Sequence, residues 1–493
     1  MAKKVELADI CIIAEGSYPY FAGGVAQWTH ELITEHKERT FHVLTLMPPH
    51  PKLTFHYQFP KNVIGHTVYI LQDLPDGASV WQTPKETWDI INNTFVGLMN
   101  SKTFEEFGPI LAFFRKHRKI LGTKILIESK PAWDWILKLY QETIPSGPFK
   151  DFFATAHVMS RSLFSALLQE LPPAKLYHAL CTGYAGFLLY LAKQEKNVPC
   201  MLTEQGVYTN ERRIEIAMAN WIGDVGSLNF ALEDKKQTLK DFWLNTFLSF
   251  AHVCYMCADE IISTFDGNQE SQLESGADPR KLRTVVHGIN PQDYVSIKEK
   301  RKPHPPTFAF IGRIVSIKDV KTFIRACHIV RQYMPGVRIF VLGPTNEEPE
   351  YFADCQALIL FLGLEDSLKF LGRVDVKAYL PEIDLIVLTS ISEAQPLVIL
   401  EAGSIGIPFV ATNVGAVSQL CFGSADESPP LGQAGIVTPL ADPPATAEAI
   451  LKLLTDADFY QKCSETIEKR IKTHYRFEQQ HIEYRKIYKK YLG

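Results

Sequence analysis

SEAQPLVILE, residues 392–401, follows the apolar run LIVL at 385–388 and the polar pair Thr389 and Ser390. Four consecutive apolar residues bounded by polar ones read as a strand buried on both faces, the pattern of a parallel sheet. In such sheets ligands bind beyond the carboxyl ends of the strands. Pro396 is placed at the first turn of the next helix, where its fixed φ fits and its missing N–H costs nothing; that helix is expected over 397–404. The spacing puts Glu393 in the loop ahead of the helix and Glu401 about one and a half turns inside it. The free N–H groups of a first helical turn favour an anion such as a diphosphate, with Glu393 available to sugar hydroxyls and Glu401 to a ribose. Taken alone, two acids eight positions apart are equally a surface loop and a helix that each carry one carboxylate. Their placement at a strand–helix junction is what raises the ligand reading.

Around this stretch strands and helices alternate. Strands are expected at 307–311, 337–342, 368–371, 385–388, 409–411 and 435–437, which implies a doubly wound parallel sheet. FIGRIVSIKDVKTFIRA follows the first of them. Arg313 ends that strand and Lys318 is placed in the first turn of the following helix. Two cations beside a helix start suit a diphosphate leaving group, because they neutralise charge that grows as the bond breaks; the alternative is a pair of solvated surface cations. The strand ends at Arg313, Gly343, Arg373, Glu393 and Gly415 are expected to face one cleft, a convergence stronger than any single motif.

The first half has the same rhythm, with strands expected at 5–14, 41–46, 66–71, 175–180, 200–203, 260–264 and 283–286. Gly23 and Gly24 stand just before a helix expected over 26–35, where bare backbone can approach a phosphate or a sugar. The loop is not GxGxxG, so it is a poor dinucleotide fingerprint. Tyr18, Tyr20 and Phe21 either line a sugar pocket or anchor their loop. Residues 72–173 break the rhythm with helices rich in Trp and Phe, near 105–121 and 133–141, and read as a helical insertion. TEQGVYTNERR (203–213) places Glu204, Gln205 and Tyr208 at another strand end, facing the same crevice. KEKRKPHPP (298–306) has the charged, proline-rich composition of a linker. The expected division is therefore a first domain over 1–297, a linker over 298–306, a second domain over 307–473 and a terminal helix over 474–493.

At 493 residues the chain exceeds one core. Hydrophobic content of 46%, charged content of 22% and a net charge of −4 describe an ordinary globular protein with no basic field for nucleic acid. The opening MAKKVELADICIIAEG reads as a first strand rather than a leader, because Glu6, Asp9 and Glu15 interrupt it. No membrane span is expected. Nine cysteines, an odd number, suit reduced thiols in the cytoplasm. Cys254 and Cys257 form a CxxC inside an apolar run and are read as a packed helix face rather than a metal site. The one DxD, Asp456 to Asp458, is read as a helix start.

GRIVSIKD (312–319), FLGRV (370–374), SEAQPLVILEAGSIGIPFVAT (392–412) and VVHGIN (285–290) resemble the retaining glycosyltransferases of family four. EGSYPYFAGGVAQWTHELI (15–33) and TEQGVYTNERRIEI (203–216) are more specific and look like the Pel exopolysaccharide glycosyltransferases. The likeness covers most of the chain, although over 72–173 it is one of length only. It implies a GT-B fold: two Rossmann-like doubly wound α/β domains facing a central cleft, with a UDP-linked sugar held mainly by the second and the last helix crossing back to the first. By motif match Arg313 and Lys318 hold the diphosphate and Glu393 the sugar, the three forming the catalytic set. Glu401 takes the ribose, Arg373 and Val374 lie beside the base, and Gly23 and Gly24 approach the phosphate. Gln205, Ala394, Gln395, Pro396 and Leu397 complete the set that binds the sugar nucleotide.

The implied reaction moves a hexose, from UDP-glucose or a UDP-N-acetylhexosamine, to a growing polysaccharide with retention. Glu393 then positions and stabilises rather than forming a covalent bond. No cofactor and no metal are expected beyond the UDP-sugar substrate, and the implied partners are inner-membrane polysaccharide synthase subunits. Two departures stand out: Gln205 where His is common, which cannot shuttle a proton, and Gln419 where an acid is often seen. The first motivates an alternative, a UDP-sugar-binding scaffold or sensor with impaired turnover. A hydrolysing epimerase has only Glu204 in its favour, and a dehydrogenase lacks GxGxxG.

Overall fold

The structure is a computed structural model that describes residues 6–21, 23–51, 53–145, 147–218, 238–425 and 427–493. It divides into two compact units. The first comprises Met1–Ser263, Gln269–Arg283 and Arg485–Gly493, and the second Thr264–Asn268 and Thr284–Tyr484.

The first unit is built on seven strands: β1 (Ala8–Glu15), β2 (Phe41–Met47), β3 (Val63–Ile70), β4 (Ala174–Ala179), β5 (Cys200–Glu204), β6 (Glu260–Ser263) and β7 (Leu282–Thr284). Their order is β3-β2-β1-β4-β5-β6-β7. β1 pairs in parallel with β2 on one side and β4 on the other, so the order of strands reverses there. The run ICIIA of β1 is buried almost throughout, as a central parallel strand demands. Between β3 and β4 lie the helices Thr87–Asn100, Phe107–His117, Lys130–Thr143 and Phe149–Leu168. They form one aromatic core, in which the Phe95 ring meets Trp135 edge-on at 5.0 Å and also contacts Phe164 and Phe242. Phe242 belongs to helix Leu239–Cys257, from far along the chain, which joins this layer. In that helix Cys254 is buried and the Cys257 thiol donates to the Cys254 carbonyl at 3.3 Å, so both cysteines serve the helix.

The second unit holds β8 (Thr307–Ile311), β9 (Arg338–Leu342), β10 (Leu368–Gly372), β11 (Leu385–Leu388), β12 (Phe409–Thr412) and β13 (Gly435–Thr438). Their order is β10-β9-β8-β11-β12-β13, with parallel neighbours throughout. The order reverses between β8 and β11. The division between the units falls at Arg283 and Thr284, ahead of the stretch 298–306. Helix Gln292–Glu299 explains this: it buries Tyr294 and Ile297 in the core of the second unit. Asp456 caps helix Ala457–His474 by accepting from the Phe459 N–H at 3.0 Å, so the DxD is spent on a helix start. From the same helix, buried Arg470 makes a bidentate pair with Glu427 at 2.7 Å and also donates to the Leu420, Cys421 and Gly432 carbonyls. The terminal helix Phe477–Leu492 ends in the first unit, where the Tyr488 hydroxyl meets His178 Nδ1 at 2.9 Å.

Candidate functional site

β8 and β11 are neighbours at the point where the strand order of the second unit reverses, the position at which doubly wound sheets bind ligands. The segment after β8 carries Arg313 and Lys318, and the segment after β11 carries Glu393. Lys318 does not enter the following helix. It closes a 3-10 turn, Ser316–Lys318, and the helix Val320–Tyr333 begins only after Asp319. Asp319 adopts φ 42° and ψ 52°, a left-handed conformation that ends the turn, and its carboxylate caps the helix at the Thr322 N–H, 3.2 Å away. The expectation that Lys318 sits in a first helical turn is thereby corrected.

The two segments are laced together. The Ile391 N–H donates to the Ile317 carbonyl at 2.9 Å, and the Thr389 hydroxyl donates to the Asp319 carbonyl at 2.8 Å. This lacing sets the Lys318 ammonium on the Glu393 carboxylate, which also accepts from the Ser390 hydroxyl at 2.7 Å. Glu348, in the segment after β9, accepts from the Ser316 N–H at 2.9 Å and its hydroxyl at 3.3 Å, gripping the turn from the other side. Arg313 is not brought onto the same acid. Its guanidinium pairs with Glu347 at 2.7 Å.

Pro396 stands one position before the helix rather than in its first turn, at φ −71° and ψ 105°, and the helix spans Leu397–Gly403. Gln395 stands directly before Pro396. That side chain is buried and clamps His287, accepting from its N–H at 2.8 Å and donating to its carbonyl at 3.1 Å. Burial pushes the His287 imidazole down to about 4, so the ring is neutral at pH 7. A second clamp comes from the loop after β12, where the Ala416 N–H donates to the Ala394 carbonyl at 2.7 Å. Gly415 makes this approach possible: at φ +54°, a Cβ there would fall 2.2 Å from the Ala394 carbonyl oxygen. Gly343 does the same beneath Arg313, since its Cβ would lie 1.8 Å from the Gly312 oxygen. Leu397 and Glu401 are half-buried on the helix, Val374 is half-buried after β10 and Arg373 is exposed.

In the first unit Gly23 is the extended cap of helix Gly24–Glu35, with Gly24 its first residue, two positions before the expected start; both are exposed. Tyr18 donates to or accepts from His30 Nδ1 at 3.1 Å and packs on Tyr57 and Phe59, so it anchors its loop. Gln205 follows β5, half-buried. Glu204 beside it does not open on a crevice. It is fully buried and accepts four hydrogen bonds, from the Thr182 and Tyr255 hydroxyls, the Tyr208 N–H and the Gln272 amide. Burial raises its pKa, opposed by those four donors. Glu15, ending β1, accepts from the Ala185 N–H at 3.0 Å and the Tyr208 hydroxyl at 2.8 Å.

Sequence reading missed Glu347, Glu348, Ser390, Thr389 and the partnership of His287 with Gln395. An available signal for the first two is an acidic doublet in the loop after a strand whose neighbour's loop carries cations. The others act through backbone contacts that residue type does not announce.

Two Rossmann-like parallel-sheet units define the GT-B fold class. The structure of Anabaena Alr3699/HepE in complex with UDP and glucose matches 97% of this chain and 99% of its own, at a TM-score of 0.58 and 13% identity. Sucrose-phosphate synthase from Thermosynechococcus elongatus matches 98% of each chain, at a TM-score of 0.58 and 14% identity. At those identities the likeness is one of fold. Among curated relatives, the D-inositol 3-phosphate glycosyltransferase of Pseudarthrobacter chlorophenolicus is 32% identical over 159 residues, 30% of this chain and 37% of that protein. The protein of the same description from Salinispora tropica is 31% identical over 202 residues, 37% of this chain and 40% of that one. The match thus spans about two fifths of these relatives' length. The chain belongs to the family described as domain of unknown function DUF3492, which matches residues 8–280. Residues 305–456, within the second unit, match the model of glycosyl transferases group 1.

Proposed function

We propose that the chain is a retaining hexosyltransferase that moves a sugar from a UDP-sugar, UDP-glucose or a UDP-N-acetylhexosamine, to a growing exopolysaccharide of Pel type. The observation that carries this reading is the Lys318–Glu393 pair at the strand reversal of a group 1 glycosyltransferase domain. A cation and a carboxylate held together there suit a sugar nucleotide, which presents a diphosphate to the one and hydroxyls to the other. Arg313 and Lys318 bind the diphosphate, Glu393 the sugar and Glu401 the ribose. The backbone at Arg373 and Val374 meets the base, and the 394–397 turn lies along the sugar. Gly23, Gly24 and Gln205 contribute from the first unit. Glu393 acts by position and charge, and the phosphate of the substrate takes the acceptor's proton. Among the described residues no helix is long and apolar enough to cross a membrane, and attachment to inner-membrane synthase subunits belongs to the same proposal.

The test is a thermal-shift and UDP-release assay with UDP-glucose, UDP-N-acetylglucosamine, UDP-N-acetylgalactosamine and ADP-glucose, on wild type and Gln205→His. A ligand confined to the folded state adds about 2.7 kcal/mol of apparent stability at 100-fold excess over its dissociation constant. UDP release from one sugar establishes the transferase and names its substrate. A UDP-induced shift without release, restored by Gln205→His, identifies instead a binding scaffold with impaired turnover. No shift with any nucleotide overturns both.

A further inference from the structure

Arg313 and Lys318 are held by two different acids, and the two pairs differ in kind. Lys318 and Glu393 keep 18% and 14% of their side-chain surface, whereas Arg313 and Glu347 keep 52% and 42%. The first pair is enclosed and supported by the Ser390 hydroxyl. The second is wet, screened by salt and easily exchanged. Its geometry is nonetheless set by the fold. Glu348, one residue on, is fixed to Ser316 by two hydrogen bonds, which places the 343–348 segment beside the Arg313 loop and delivers the Glu347 carboxylate to the guanidinium.

A guanidinium that takes a diphosphate does so through paired N–H donors, with shorter and stronger bonds than those of an exposed ion pair. A carboxylate already seated on that guanidinium opposes the arriving anion, and it re-pairs as the anion leaves. We propose that Glu347 is an internal competitor for the nucleotide diphosphate, a counter-anion that sets how tightly Arg313 holds substrate and how readily it gives up the nucleoside diphosphate product. The proposal rests on the reading of Arg313 and Lys318 as the cations that bind the diphosphate. A site that neutralised its substrate with uncontested cations would retain the charged product, and product release is often what limits turnover.

The experiment is calorimetric titration of the full chain with UDP, on wild type, Glu347→Gln, Arg313→Gln, the double variant and Lys318→Ala. Glu347 carries little burial, so its removal leaves the thermal midpoint in place. Glu347→Gln is expected to tighten UDP binding about two- to fivefold at low salt, the range of an exposed ion pair. The gain shrinks as ionic strength rises and is absent when Arg313 is already Gln. Unchanged or weaker binding in Glu347→Gln overturns the competitor role, as does an equal gain without Arg313. If Lys318→Ala loses UDP binding in either case, the diphosphate site stands and only the competitor falls. If wild type takes no UDP, or Arg313→Gln and Lys318→Ala bind it as wild type does, the site reading fails and the competitor fails with it.

Discussion

Each unit has a point where its strand order reverses, and the chain treats the two differently. In the first, the segments after β1 and β4 meet on Glu15, whose carboxylate accepts from the Ala185 N–H at the start of helix Tyr184–Lys196 and from Tyr208. Tyr208 in turn donates its N–H to the buried Glu204. In the second, the segments after β8 and β11 meet on Lys318 and Glu393, charges matched one to one with part of their surface open. The first reversal is closed by neutral donors, two of them on Glu15 and four on Glu204 beyond it; the second is closed by ion pairs. Neutral hydrogen bonds to a buried acid cannot be traded without leaving groups unsatisfied. An ion pair can be traded for another ion. On the proposed reading, the first point serves stability and the second exchanges ligand.

The strongest way to break it is to remove an acid from each. Glu204→Ala strands four buried donors, so it should cost about 3–5 kcal/mol of folding stability. The six tryptophans among the described residues all lie in the first unit, so fluorescence-detected unfolding reports this loss directly. A change below about 1 kcal/mol in that assay would show the network to be decorative. Lys318→Ala should do the converse: a loss of about 10²–10³ in kcat/KM with the thermal midpoint nearly unmoved. A folded, fully active Lys318→Ala enzyme removes the site assignment.

Acid separates the units more gently. Burial pushes His178 down to about 3 and His42 down to about 4 in the first unit, and His287 to about 4 in the second. These folded values lie below the unfolded value near 6.5. Below that pH the unfolded chain binds protons that the folded chain refuses, so stability is lost as pH falls from about 6.5 towards about 4. Each buried imidazole should cost about 1–2 kcal/mol at pH 5. Burial lowers His30, His66 and His157 of the first unit as well, so among the described residues the depressed rings gather there and the fluorescence-detected transition should drop further between pH 7 and pH 5 than the calorimetric transition that fluorescence does not follow. Equal shifts would show that the histidines do not distinguish the units.

What the sequence disclosed follows from the same contrast. The LIVL run and its neighbours announced a parallel sheet because a strand buried on both faces has to be apolar. SEAQPLVILE raises the ligand reading because its two acids, Glu393 and Glu401, frame a strand–helix junction. Glu204 misleads, since a carboxylate at a strand end looks identical whether it faces a ligand or four donors, three of them from segments 22 to 68 residues away. Pro396 stands one position and Lys318 two positions ahead of the helices whose first turns are expected to hold them, because the deciding features, the Gln395 clamp on His287 and the left-handed Asp319, are tertiary or local strain rather than pattern.

The smallest effect is the most discriminating about how the second reversal is built. Glu348 touches no part of the Lys318–Glu393 pair, yet it fixes the turn that presents Lys318. Glu348→Ala frees the Ser316 N–H and lets that turn relax, which should raise KM for the sugar nucleotide a fewfold, worth about 1 kcal/mol. Because Lys318 still reaches the diphosphate once it is bound, kcat should change less than KM. Glu348→Gln keeps a carbonyl oxygen for the N–H and an amide for the hydroxyl, so it should restore most of the loss. Equal damage from both substitutions would mean that the carboxylate's charge, and not its hydrogen bonds, is what the turn requires, and Glu348 would then belong with Glu347 as a second counter-anion.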